Sequence, residues 1–133
     1  MHEPGMMTEE AKRYLLGVVF QGKDIVNPLW VGLARRPIGD KPELRAFAAG
    51  EPKAENYRRQ SLGKEDWAYK DGQLKSIPLH FKNDSRQIWT GLDTIFLATT
   101  KDDTGILLAW GYLDHMRELF DGDELLVPVS IRF

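Results

Sequence analysis

The sequence holds no cysteine, which excludes a disulfide framework, a thiolate nucleophile and a zinc–thiolate centre. Histidine is almost as scarce. His2, His80 and His115 are the only three, none has a second histidine at metal-ligand spacing, and neither a metal nor another cofactor is expected. Charge of neither sign dominates: 18 basic residues stand against 20 acidic ones, for a formal net charge of −2, so nucleic acid is not an expected partner. Long apolar runs are missing too. Tyr14 to Phe20, for example, is broken by Gly17 and falls far short of the ~20 residues that cross a bilayer, so no membrane contact is expected. The opening MHEPGMMTEEAKR lacks the basic-then-apolar order of a secretion signal, and synthesis in the cytoplasm is the expectation. No G-x-S-x-G, Walker loop or G-x-G-x-x-G occurs, which removes the common hydrolase and nucleotide-binding signatures.

What remains is an ordinary globular composition. The 133 residues suit one domain, and 42% apolar with 29% charged residues supply a core and a soluble surface. Residues 1–6 contain Pro4 and Gly5 without periodicity and read as an arm. Thr8 can cap a helix, Glu9 and Glu10 suit the positive end of its dipole, and Ala11, Tyr14, Leu15, Val18 and Val19 recur at helical spacing. A helix over about 8–21, ended by Gly22, is expected.

From residue 22 onward the pattern is β. Leu29 to Ala34 reads as a strand between Pro28 and Pro37. Residues 37–56, with three prolines and two glycines, read as a long loop with one helical turn at Glu43 to Ala48. Tyr57 to Leu62 is a further strand, and Trp67 to Lys70, Asp71-Gly72 and Gln73 to Ile77 form a tight hairpin. Leu79 to Lys82 alternates, Thr94 to Thr99 and Ile106 to Tyr112 flank a polar turn, and Glu124 to Phe133 is a last strand. Pro128 within it argues for an edge or a bulge. The expected fold is mainly β: a jelly-roll-like β-sandwich of about seven or eight short antiparallel strands with one N-terminal amphipathic helix, all within a single 1–133 domain.

Chemistry-bearing clusters are few. His80, between Leu79 and Phe81, faces solvent, and adjacent Asp114 and His115 diverge on a strand rather than form a relay. Asp102 and Asp103 read as turn formers, not as part of a calcium loop, and Asp121 to Glu124 likewise precedes a strand. A glycan hydrolase built on Asp114 and Asp123 has no spacing to support it, so no enzyme is expected. Asn83-Asp84-Ser85 matches a glycosylation acceptor by composition alone. The pairs Arg35-Arg36 and Arg58-Arg59 point to both faces of their strands and, interleaved with acids, read as a solvated face or as subunit contacts with one of each pair held against an acid across an interface, rather than as a phosphate site. The helix face Tyr14, Leu15, Val18 and Val19 is a candidate interface too, and equally a face that packs on the protein's own sheet. Trp30, Trp89 and Trp110 read as core or interface packing, and Trp67 and Tyr69, two apart beside a turn, read first as one more patch of core and second as a face that could stack on a sugar ring or a partner protein.

The order of segments resembles a family of small tailed-phage virion proteins described as tail-fibre-like. Its amphipathic helix is followed by an L-W/Y-V-G-L strand, here Leu29-Trp30-Val31-Gly32-Leu33, and by a tyrosine–arginine step, here Tyr57-Arg58. Then come an apolar strand, here Leu79 to Phe81, and a glycine step into a second one, here Thr90-Gly91 before Thr94 to Ala98. The G-x-L-L-x-x-G hairpin is Gly105 to Gly111, and the closing G-D turn and strand are Gly122-Asp123 and Val127 to Phe133. The charged, proline-rich loop before Tyr57 departs from the family's Gly, Ser and Thr. The resemblance implies a non-enzymatic virion component, tail-associated or decorating the capsid. Its partners would be copies of itself, a trimer favoured, and other virion proteins, with a host-surface glycan as the alternative ligand.

Overall fold

Successive residues of a strand face opposite ways, and Thr94-Ile95-Phe96-Leu97-Ala98 is apolar on both faces, so the strand that carries it must be covered twice. The computed structural model describes residues 6–24, 26–36 and 43–132, with Met6 and Arg132 described by their backbone alone. Residues 1–5 of the expected arm, His2, residues 37–42 of the expected loop and Phe133 lie outside the described residues. In chain order the elements are β1 (Met6–Met7), α1 (Glu9–Gln21), β2 (Leu29–Ala34), α2 (Leu44–Ala49), β3 (Gln60–Leu62), a 3-10 turn (Lys64–Asp66), β4 (Trp67–Lys70) and β5 (Gln73–Ser76). They continue through β6 (Leu79–Lys82), β7 (Trp89–Ala98), β8 (Leu107–Leu119), β9 (Glu124–Val127) and β10 (Ser130–Arg132). The fold is mainly β and antiparallel with an N-terminal helix, as expected. It has ten strands among the described residues rather than seven or eight, because β1 and the pieces around Pro78 and Pro128 add short ones.

The main sheet runs β1-β8-β7-β2-β3. Strand β7 lies at its centre, and its residues divide as its double coverage requires. Ile95 and Leu97 join the larger core, with Val31, Leu33, Phe81, Val127 and Ile131, while Phe96 and Ala98 join a smaller one, with Leu44, Phe47 and Leu107. Helix α2 covers that second face. It is the helical turn expected at Glu43 to Ala48, shifted by one residue. The β7–β8 ladder is irregular between Trp89 and Thr94 and again at Leu97, where Leu108 is left without a direct partner.

The second layer is one long antiparallel pairing cut in two by proline. Segment 73–82 runs against 124–132, but Pro78 and Pro128 offer no N–H to a ladder. The pairing therefore splits into β4-β5-β10 and β6-β9. Ser76 spans the break: its N–H donates to the Val129 carbonyl at 2.9 Å, and its Oγ accepts from the Val129 N–H at 2.8 Å. The expected single strand from Glu124 to Phe133 is thus two strands in different sheets. Asp71 and Gly72, with φ of 54° and 78°, make the tight left-handed turn of the β4–β5 hairpin.

Thr8 caps α1 with its side chain, accepting from the Ala11 N–H at 3.0 Å, and its hydroxyl donates to the Leu107 carbonyl at 2.6 Å. One residue thereby starts the helix and ties it to β8. Gly22, at φ 68°, closes the helix in the left-handed conformation that glycine adopts at least cost. At the far end of the sandwich, Asn83 is fully buried. Its amide donates to the Leu119 carbonyl at 2.7 Å and to the Gln87 carbonyl, and its Oδ1 accepts from the Ser85 N–H at 3.0 Å. The Asn83-Asp84-Ser85 match to a glycosylation acceptor is therefore a structural pin whose nitrogen is enclosed. Asn83→Ala would strip this pin and orphan buried carbonyls, so urea unfolding should show a loss of about 2–3 kcal/mol.

Candidate functional site

At about 100° per residue, Ala11, Tyr14 and Val18 fall on one side of α1, whereas Leu16 and Phe20 fall on the other. The helix follows that division. Ala11 is buried, Tyr14 and Val18 are half-buried, and Leu15, Leu16, Val19 and Phe20 are exposed, Val19 at 70% and Phe20 at 78%. The expected interface set Tyr14, Leu15, Val18 and Val19 is thus split, half against the protein's own core and half outward. Leu16 and Phe20, which the inward stripe passes over, complete the outer half.

Helix α1 and the β4–β5 hairpin stand over the same face of the main sheet without closing on each other. The space between them is an apolar groove of about 570 Å³. Tyr14 and Leu15 form one wall, Trp67 and Leu74 the other, and Leu97 and Ala109 lie at its floor. The Tyr14 hydroxyl is engaged on its own chain, accepting from the Val26 N–H at 2.7 Å and donating to the Asp24 carbonyl at 3.5 Å. Lys64 and Asn27 also line the groove. The groove brings Tyr14 and Leu15, but not Val18 or Val19, into one surface with Trp67, a juxtaposition that their distance in sequence hides.

Trp67 and Tyr69 do not share an open platform. Trp67 is half-buried against the larger core and lines the groove, while Tyr69 is 69% exposed. Stacking on a sugar ring would be left to Tyr69 alone.

The arginine pairs are engaged within their own chain. Arg59 is buried, and its guanidinium grips Glu51, with Nη2 to Oε1 at 2.7 Å and Nε to Oε2 at 3.1 Å. Its Nη1 donates to the Thr100 carbonyl at 3.0 Å and to the Asp102 carbonyl. The acid expected across an interface is therefore Glu51 of the same chain, eight residues away, because the 50–59 segment folds back over the sheet edge. Tyr57 completes the cluster: its hydroxyl donates to Glu51 and accepts from the Leu33 N–H at 2.9 Å. Burial, reinforced by the Glu51 carboxylate, pushes the Tyr57 phenol well above its ordinary value.

Room for this cluster comes from Gly32. A Cβ there would lie 2.4 Å from the Phe96 ring and 2.9 Å from Glu51 Oε2. Phe96 in turn begins a row of rings, Phe96–Phe47 at 5.6 Å, Phe47–Trp110 at 5.7 Å and Trp110–Tyr112 at 5.3 Å. Arg59 sits over the Phe96 ring at 5.1 Å and Arg36 over Tyr112 at 4.1 Å, so a cation closes each end of the row. Arg35 donates through Nε to the Thr90 carbonyl at 3.0 Å, and Arg58 to the Glu55 and Tyr57 carbonyls. Trp89 is buried edge-on to Tyr57, and Trp30 and Trp110 are half-buried.

The remaining polar candidates serve local structure. His80 faces solvent as expected, with Nε2 3.2 Å from Glu124 Oε2. Asp114 and His115 do not diverge: Nδ1 of His115 is 3.2 Å from Asp114 Oδ1, because that carboxylate turns back to accept from the His115 N–H at 3.0 Å. Its bond from Arg117 at 2.9 Å holds the Asp114 carboxyl well below the usual carboxylate range. Asp102 is a turn former, accepting from the Thr104 N–H and hydroxyl, which lower its carboxyl from the ordinary value. Asp123 accepts from the Phe120 N–H at 2.8 Å. Among the described residues no group of three or more metal-ligating side chains converges. No protein-family model matches the chain, and no curated protein sequence matches it.

The buried pair invites two measurements. Arg59→Met leaves Glu51 charged and enclosed, and should cost about 3–5 kcal/mol in urea unfolding, whereas the double variant with Glu51→Leu should recover much of that loss. Tyr57 keeps its proton when folded after the unfolded chain has released it near pH ~10, so its contribution to stability is full below that pH and declines as pH rises toward the higher folded value. Tyr57→Phe should therefore flatten the alkaline fall in stability while lowering stability at neutral pH by about 1 kcal/mol.

Proposed function

We propose that the chain is a non-enzymatic structural component of a tailed-phage virion, a homo-oligomeric tail- or fibre-associated or capsid-surface decoration protein that works by burying surface between subunits. The observation that carries this reading is the exposed apolar surface of the C-terminal half of α1, formed by Leu15, Leu16, Val19 and Phe20. A helix of that character is stable when covered, and exposed apolar patches of this kind mark contacts with other molecules. The phage assignment is supported by segment order over nearly the whole chain. Its short motifs have definite work in the fold: Gly32 of L-W-V-G-L opens the slot for Phe96, and Tyr57 of the tyrosine–arginine step binds Glu51.

Absence of cysteine suits a part made in a reducing cytoplasm that later works outside it. A symmetric assembly, a trimer in the favoured case, would repeat one contact many times and so multiply a modest surface into a firm attachment. Purified particles, separated into heads and tails, give the test. The protein should co-sediment with one fraction at fixed stoichiometry, and its absence from both would refute the assignment.

A further inference from the structure

A second cleft, of about 430 Å³, lies between the segment that follows α2 and the start of β7. Pro52, Ala54 and Ile88 give it apolar surface, and Arg35, Lys53 and Thr90 give it polar surface. Its charge is one-sided. Glu51 is the only acid among the described lining residues, and its carboxylate is already taken by Arg59 and Tyr57. No carboxylate of the described residues pairs with Arg35 or Lys53. Of the charged residues that adjoin the lining in sequence, Glu55 and Arg86 offset each other and Arg36 is held over Tyr112. Trp89 adds a second, independent sign of a ligand. It lines the cleft and is only 3% exposed, yet its indole N–H is enclosed and meets no acceptor among the described residues. Buried donors are nearly always bonded, because an unmet one forfeits the hydrogen bond it made to water. We propose that this cleft binds a carboxylate carried on a small apolar body, its charge held between Arg35 and Lys53 and one oxygen accepting from the Trp89 indole.

The donors suit that group better than its competitors. Arg35 is fixed by its bonds to Thr90, Nε to the carbonyl and Nη2 to the hydroxyl, which leaves Nη1 for a ligand oxygen. The Thr90 hydroxyl, accepting from Arg35, still has its own proton to give. Lys53 is exposed and can close on the second oxygen as a point charge. A neutral sugar would leave both cations unmet. A nucleic-acid strand needs a longer run of cations than two, and inorganic phosphate would leave the apolar surface of Pro52, Ala54 and Ile88 idle. Because Trp89 Nε1 is enclosed, a ligand reaches it by displacing an exposed side chain of the lining, Ile88 or Lys53, which is a rotamer change. The buried Arg59–Glu51 pair gains a role here, since it removes from the cleft the one acid that would repel an anion. The carboxylate can come from a free organic acid or from the C-terminus of a peptide; the recognising chemistry is the same. Neither source depends on the virion reading.

The four tryptophans give four indole N–H signals in the nitrogen-15 NMR spectrum of the whole chain, and the Trp89 signal reads the site directly. The probes are benzoate, a short leucine-ended peptide with a free C-terminus, the same peptide amidated, and inorganic phosphate. Benzoate or the free-acid peptide should move the Trp89 signal saturably while those of Trp30, Trp67 and Trp110 stay in place. Lys53→Glu should weaken that binding by about tenfold. Lys64→Glu makes the same charge change at an exposed lysine outside the cleft lining and should leave binding unaltered, with circular dichroism confirming both folds. Tighter binding of the free-acid peptide than of benzoate assigns the site to a chain terminus, and the reverse order assigns it to a free acid. A Trp89 signal that no carboxylate moves would overturn the proposal. So would an equal response to the amidated peptide or to phosphate, or an equal loss of binding in the two lysine variants.

Discussion

A guanidinium removed from water stays there only if every part of its charge is met, and Arg59 is the residue around which much of this fold is arranged. Glu51 takes two of its nitrogens, the carbonyls of Thr100 and Asp102 take a third, and the Phe96 ring lies against its face. Four separate stretches of chain must be in place for this: the segment after α2, the edge near β3, the turn between β7 and β8, and the centre of β7. None of the four can move far without exposing a buried charge to a partner it has lost. The cluster therefore specifies arrangement more than it adds stability, since an apolar trio of similar volume could hold the same space.

The same requirement explains the small residue at the middle of β2. Phe96 reaches the arginine only because Gly32 leaves the space above it empty. Past Phe96 the row of rings continues to Tyr112 and ends beneath Arg36, so the outer face of the main sheet is apolar in its interior and cationic at both margins. The side chains that look like binding equipment in sequence, two arginine pairs and several aromatic residues, are mostly consumed in building this face. The outside of α1 and the groove beside it, by contrast, keep apolar side chains uncovered, Phe20 and Val19 foremost.

Local chemistry was the legible part of the sequence. Thr8 and Gly22 bound α1 because capping depends on a few neighbouring atoms, and the Asp71-Gly72 turn follows from the left-handed preference of those two residues. The double burial of β7 could be read from its unbroken apolar run. Long-range facts were not legible. Nothing near Arg59 says that its acid is Glu51 rather than a residue of another subunit, and nothing in the spacing of Tyr14 and Trp67 places them on opposite walls of one groove. The helix stripe misled for a simpler reason. Periodicity identifies which residues share a side, but when both sides are apolar it cannot say which one the protein itself covers. Asn83 was hidden because a buried amide and a surface acceptor sequon are spelled alike.

Pro78 and Pro128 do more than shorten strands. They sever the hydrogen-bond ladder of the second layer, leaving Ser76 as the stitch between its halves. The hairpin wall that carries Trp67 and Leu74 therefore shares no continuous ladder with the Asn83 end of the molecule, which is held by its own buried amide. What the backbone does not join, the core does: Phe81, Leu125 and Val127 from one half and Val129 and Ile131 from the other lie in the same buried cluster, so the second layer is held together by side chains where its ladder is broken.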